Sequence, residues 1–149
     1  MTITEFLKDH VPFLKGITEE QARRLAQCAE QRTYKQNQTV IFKGVTVDGL
    51  HIVATGKVAV YIRPEKNKEW LRAAELGAGE VFGERSIIEF STATATIKGA
   101  SAEALLFVLQ QAAFRELLET DAALKERTLA LIESRTRPAA ARQPAAPSA

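Results

Sequence analysis

The stretch VFGERSIIEFSTATATIKG, from Val81 to Gly99, gathers the residues of this chain best suited to hold an anionic ligand. Gly83 has no Cβ, so the backbone there can approach a bound group closely. The run after it, Glu84–Ile88, reads as a short helix whose free N–H groups and positive end would face a phosphodiester. Glu84 offers a carboxylate that can accept a hydrogen bond from a sugar hydroxyl. An acid here also complements the dipole of a helix N-terminus, with no ligand needed. Arg85 reads first as a solvent-facing arginine on the short helix, with a swing toward the loop as the other option. Ser86, Ser91, Thr92, Thr94 and Thr96 supply neutral hydroxyl donors, which β-propensity and turn chemistry also explain. A period of two places Thr92, Thr94 and Thr96 on one strand face.

No arrangement argues for catalysis. His10 and His51 are the only histidines, and His51 in GLHIVA reads as a strand residue. Cys28 is the only cysteine, so neither an internal disulfide nor a cysteine-based metal site is expected. There is no Ser-His-Asp order and no glycine-rich kinase loop. A net charge of +2, with basic and acidic residues mixed along the chain, leaves no concentrated basic face for a nucleic acid. The apolar runs are too short to cross a bilayer, and the first residues lack a secretory pattern, so a cytoplasmic protein is expected.

The elements that would position this loop follow from periodicity. At 149 residues the chain can bury one proper core. Ile3–Arg32 reads as helical, broken before Pro12, with Thr18 as an N-cap and Leu25, Cys28 and Ala29 as a buried stripe. From Thr33 to about Val108 the runs TVIF, LHIV, KVAVYI, TATIKG and LLFVL are short strands separated by glycine-bearing turns. Arg63–Glu69 reads as a polar hairpin tip, and Arg72 lies on the next strand with its side unassigned. Strands so spaced predict an antiparallel barrel or roll. Gln111 onward returns to helical spacing. Phe114, Leu117 and Leu118 form one apolar stripe; Leu124, Thr128, Leu131 and Ile132 form a second beyond a break near Thr120–Asp121. Residues 137–149 carry three of the five prolines and no aliphatic residue larger than alanine, and are expected to be a disordered tail after a domain spanning 1–136.

The stretch VIFKGVTVDGLHIVATGKVAVYI, with Gly44, Gly49 and Gly56, resembles the front half of the cyclic nucleotide-binding domain family. LGAGEVFGERSIIE resembles that family's phosphate-binding cassette, and the resemblance runs from about Leu7 to Arg135. It implies a mainly β, α+β fold: an eight-stranded antiparallel β-roll, jelly-roll-like, flanked by N-terminal and C-terminal helices. It also implies that Glu84 meets a ribose hydroxyl and that Gly83, Glu84, Arg85, Ser86, Ala93 and Thr94 surround the ligand. The family places an arginine nine residues after this glutamate, and here that position is Ala93. Losing a guanidinium–phosphate fork removes about 3 kcal/mol, so cAMP is expected to bind weakly or not at all. The pocket suits an uncharged or less anionic ligand better.

Three readings of function follow. The first is a non-catalytic module that senses a cyclic nucleotide or related small ligand, without cofactor or metal. The second is a ligand-independent interaction module on the same scaffold. The third is the sensor part of a transcription regulator, whose DNA-reading helices this sequence does not contain. The last helix would act as a lid, as a seam for a homodimer or protein partner, or as plain packing on the roll.

Overall fold

Local capping starts both N-terminal helices. In the computed structural model, which describes residues 2–63 and 69–136, helix α1 (Ile3–Asp9) begins where the Thr2 hydroxyl accepts from the Glu5 N–H at 3.1 Å. Helix α2 (Glu19–Cys28) begins in a capping box. The Thr18 hydroxyl accepts from the Gln21 N–H at 3.0 Å, and the Gln21 side chain accepts from the Thr18 N–H at 2.8 Å. A short 3-10 turn, Pro12–Leu14, separates them.

The roll begins earlier than the sequence suggested. Helix α2 stops at Cys28, and Ala29 is already extended, so Ala29–Arg32 belong to strand β1 (Ala29–Lys35) and not to a helix. Cross-strand pairing with the strand Glu103–Gln110 overrides local helix preference in this stretch. Cys28 and Ala29 are consequently half-buried, and the buried face of α2 is carried by Ala22 and Leu25.

The remaining strands are β2 (Thr39–Ile41), β3 (Gly49–Thr55), β4 (Val58–Ile62), β5 (Leu71–Leu76), β6 (Val81–Phe82), β7 (Thr96–Gly99) and β8 (Glu103–Gln110). They form two four-stranded antiparallel sheets, ordered β1-β8-β3-β6 and β2-β7-β4-β5. The eight-stranded roll with flanking helices is as expected. Of the proposed hairpin tip, residues 64–68 lie outside the described residues, as do 137–149 of the proposed tail.

Strand β3 is buried along nearly its whole length. Alternation sends Leu50, Ile52 and Ala54 into the core shared with α1, α2 and α4 (Gln111–Thr120), while Val53 joins the core inside the roll. Phe114, Leu117 and Leu118 of α4 are buried, as their stripe required. The break after Thr120 is real: Asp121 is extended, and its carboxylate accepts from the Leu124 N–H at 3.0 Å, starting α5 (Ala122–Thr136). From α5, Leu124, Thr128 and Ile132 are buried and Leu131 is half-buried.

Gly49 sits where β3 runs close against the backbone of β8. A Cβ placed there would lie 2.3 Å from the Leu109 carbonyl oxygen, which is backbone and has little freedom to yield. Gly49→Ala is therefore expected to destabilise the fold by about 3 kcal/mol or more. Gly77, where a Cβ would meet nothing within 4 Å, provides the control. Gly77→Ala should change the unfolding free energy read from urea denaturation by about 0.5 kcal/mol or less. Equal effects of the two substitutions would refute this account of the β3–β8 contact.

Candidate functional site

Strand β6 delivers the chain to Gly83, which is left-handed (φ 93°) and caps a short helix, α3 (Glu84–Glu89), without a side chain. A Cβ at Gly83 would lie 2.9 Å from the Gly49 carbonyl oxygen and 3.2 Å from Val47 Cγ1. Conformation and space both require glycine here. The turn aims Glu84 inward, and that residue is only 3% exposed.

A cavity of about 330 Å³ opens beside it. Gly83, Glu84, Arg85, Ser86, Ala93 and Thr94 all line this cavity, so the six residues singled out from the sequence meet in one place. The rest of the wall is largely apolar and includes Ile41, Val60, Ile62, Leu76 and Ile97. Ala93 is 6% exposed and is held by two backbone bonds of 2.8 Å: its N–H donates to the Val45 carbonyl, and its carbonyl accepts from the Gly44 N–H. A methyl group thus faces the cavity.

The hydroxyl face proposed for Thr92, Thr94 and Thr96 does not form. The chain bends at Thr94–Ala95, and β7 starts only at Thr96, so period-two alternation does not hold across the stretch. Thr94 lines the cavity, but Thr96 does not; its hydroxyl is buried and accepts from the Lys43 N–H at 3.0 Å. Thr92 bridges to Thr46.

The cations near the cavity are already engaged. Arg85 donates from Nε to Glu89 at 2.9 Å along the surface of α3. Arg72 is ion-paired with Glu75, is exposed, and does not line the cavity. The third guanidinium was not singled out from the sequence. Arg135, in the last turn of α5, reaches the cavity and donates from Nη1 to Glu84 Oε1 at 2.7 Å and from Nη2 to the Val81 carbonyl at 2.8 Å. Sequence offered no pointer to it, because an arginine ending a helix is already accounted for by the helix dipole. Burial raises the Glu84 carboxyl above its ordinary value, and the Arg135 charge and backbone N–H bonds pull the other way without cancelling the rise.

Behind the cassette stands His51, 1% exposed. Its ring stacks on Phe82 with centroids 4.8 Å apart, and Nδ1 lies 3.0 Å from the Gly49 carbonyl oxygen. Nδ1 therefore carries the proton, and Nε2 is buried with no hydrogen-bond partner. Burial lowers the imidazole to about 4. At the far end of α3, Phe90 is left-handed and 76% exposed, with the Arg115 guanidinium 3.8 Å above its ring. Arg115 also donates to the Ile87 carbonyl at 2.7 Å, joining α4 to α3. Among the described residues, no group of three or more His, Cys, Asp or Glu is placed to hold a metal ion, and no helix is long and apolar enough to cross a membrane.

A family model for the cyclic nucleotide-binding domain matches residues 31–121. The chain belongs to this family. A cGMP-dependent protein kinase of Drosophila melanogaster is 27% identical over 125 residues, which is 83% of this chain and 13% of the kinase. The chain thus spans only a small part of that relative's length. Two solved structures share the fold of this cyclic nucleotide-binding domain. One is a mutant of the regulatory subunit of a cAMP-independent protein kinase A from Trypanosoma brucei, bound to cAMP in the A site. It has a TM-score of 0.76 at 20% identity, covering 92% of this chain and 47% of that one. The other is the regulatory subunit of a cAMP-independent protein kinase A from Trypanosoma cruzi, bound to guanosine. It has a TM-score of 0.73 at 20% identity, covering 87% of this chain and 43% of that one.

Proposed function

We propose that this domain is a non-catalytic, cytoplasmic regulatory module that senses a small ligand carrying little or no charge where a cyclic nucleotide carries its phosphate. A nucleoside is the class that fits best. The observation that carries the reading is Ala93, a buried methyl at the position of the phosphate's counter-charge, with the cavity-lining guanidiniums of Arg85 and Arg135 each paired to an acid of this chain. In this reading Gly83, Ser86 and Thr94 contact the sugar end, Glu84 accepts from a ribose hydroxyl, and the apolar wall receives the base. The guanosine-bound Trypanosoma cruzi protein supports it as an example of the same fold holding an uncharged nucleoside.

Calorimetric titration with cAMP, cGMP, a cyclic dinucleotide, adenosine and guanosine tests the proposal. A cAMP dissociation constant on the order of 0.1 mM or weaker is expected, because about 3 kcal/mol of phosphate contact is absent. A nucleoside should bind more tightly than its cyclic phosphate. Sub-micromolar binding of cAMP would overturn the proposal.

A second reading, a ligand-independent interaction module, draws on Phe90. A non-glycine residue in the left-handed region costs folding energy, and an aromatic left 76% exposed returns little of it through burial. Such a residue is suited to contact a protein partner. Failure of every ligand in the titration would favour this reading.

A further inference from the structure

A second cavity, of about 430 Å³, opens between α1 and the face of the first sheet that carries Leu105 and Phe107. It shares no lining residue with the cassette cavity. Ile3, Phe6 and, at the C-cap of α1, His10 recur at helical spacing along one stripe. Leu7 beside them and Val11 just beyond are buried and hold the helix down. Ile3 and Phe6 are only half-buried and His10 is exposed, so their stripe overhangs the sheet without closing on it. A β-bulge opens the sheet side. Val53 pairs with Leu106 and Thr55 with Leu105, which leaves Ala54 as an extra residue. A bulge re-aims side chains, and here Ala54 and Thr55, consecutive in the strand, both line the cavity.

The chemistry of the wall selects the occupant. Three of its side chains carry rings: Phe6 meets Phe107 edge to face with centroids 5.6 Å apart, and stacks on His10 at 6.1 Å. Rings so placed favour a further flat ring, by offset stacking or edge contact. Among the described residues, no Asp, Glu, Lys or Arg lines the cavity, so a charged group entering it would lose hydration without a counter-charge. The side chains able to hydrogen-bond, those of Thr2, Thr55 and His10, belong to exposed residues and form a polar rim. The volume lies within the range of roughly 300–1,000 Å³ that small-molecule sites occupy. We propose that this cavity is a second small-molecule site, for a flat uncharged aromatic compound bearing one hydrogen-bonding group, the class to which indole belongs. The ring of such a compound lies against Ala54, Leu105 and Phe107, and its N–H or O–H meets the rim. The site does not depend on what the cassette cavity binds.

Methyl NMR titration of the full chain with indole tests the site. The methyl signals of Ile3, Ala54 and Leu105 are expected to shift and saturate, with a dissociation constant on the order of 1 mM or tighter. Indole-3-acetate, the same ring with a carboxylate, should bind at least about tenfold more weakly. Ala54→Leu fills the floor, and Thr55→Trp places an indole of the chain's own at the rim; each should abolish the indole shifts at Ile3 and Leu105. Thr55 is exposed, so Thr55→Trp keeps the fold even where Ala54→Leu does not. Unmoved methyl signals at the solubility limit of indole would overturn the proposal, as would equal affinity for indole-3-acetate or shifts that persist in both variants. Shifts with octanol and none with indole would assign the cavity to an aliphatic chain. Shifts that follow protein concentration alone would assign it to a second copy of this chain. Either result overturns the aromatic site.

Discussion

Replacing Ala93 with arginine is expected to raise the affinity for cAMP at least about a hundredfold, the largest gain available from one substitution in this pocket. Ala93 lines a cavity of about 330 Å³, and its backbone is fixed by bonds to Val45 and Gly44, so a side chain added there projects toward the ligand from a rigid base. A guanidinium reaching two phosphate oxygens forms two charge-assisted hydrogen bonds, together about 3 kcal/mol in a shielded site. Removing the carboxylate in that background, with Glu84→Ala, should take back part of the gain, because a ribose hydroxyl loses its acceptor. Calorimetric titration of the unaltered protein, the single variant and the double variant measures each step. No gain in a variant that stays folded would mean the cavity does not receive a cyclic nucleotide, and the interaction reading would move ahead.

The second large effect is on stability and comes from His51. In the unfolded chain the imidazole takes up a proton as the pH falls below about 6.5. In the folded domain burial holds it neutral down to about 4. Between these values the unfolded state binds more protons, so stability falls as the pH drops through that window and is fully present above it. The displacement is worth about 3 kcal/mol over the whole window. His51→Phe retains an aromatic ring against Phe82 and has nothing to protonate. Urea midpoints of both proteins at pH 7 and pH 4.5 should therefore show a steeper acid loss in the unaltered protein. Glu84 acts with the opposite sign: its raised carboxyl favours the folded state in acid, and that contribution is lost as the pH rises. Identical pH slopes for the unaltered protein and His51→Phe would remove His51 as the source.

The parts of this domain legible in its sequence are those written in glycine spacing and in short-range chemistry. Thr18 with Gln21 announces its helix because both hydrogen bonds lie within three residues. The glycines from Gly44 to Gly83 mark turns and close approaches, which fixed both the roll and the cassette. The misreadings occurred where distant partners decide. CAEQRTYK contains no turn residue, so only the pairing of β1 with β8 reveals that the helix ends at Cys28. The threonines from Thr92 to Thr96 alternate on paper, yet a bend at Thr94–Ala95 redirects them. Arg135 reaches Glu84 across 51 positions of sequence, a contact that no local pattern encodes.

The placement of β8 also bears on how the chain comes to be folded during synthesis. This strand pairs with β1 on one side and β3 on the other, with Ala29 opposite Leu109 and Leu50 also opposite Leu109. Until the ribosome has released the chain through Gln110, β1 has no partner and the first sheet lacks the strand that joins its halves. The second sheet likewise waits for β7 to join β2 to β4. Nascent chains shorter than this present unpaired strand edges, the surfaces most open to association with other chains. Closing such distant pairings is slow, placing assembly in the millisecond-to-second range of β-rich domains. The interval just before β8 emerges is therefore when this domain most needs protection.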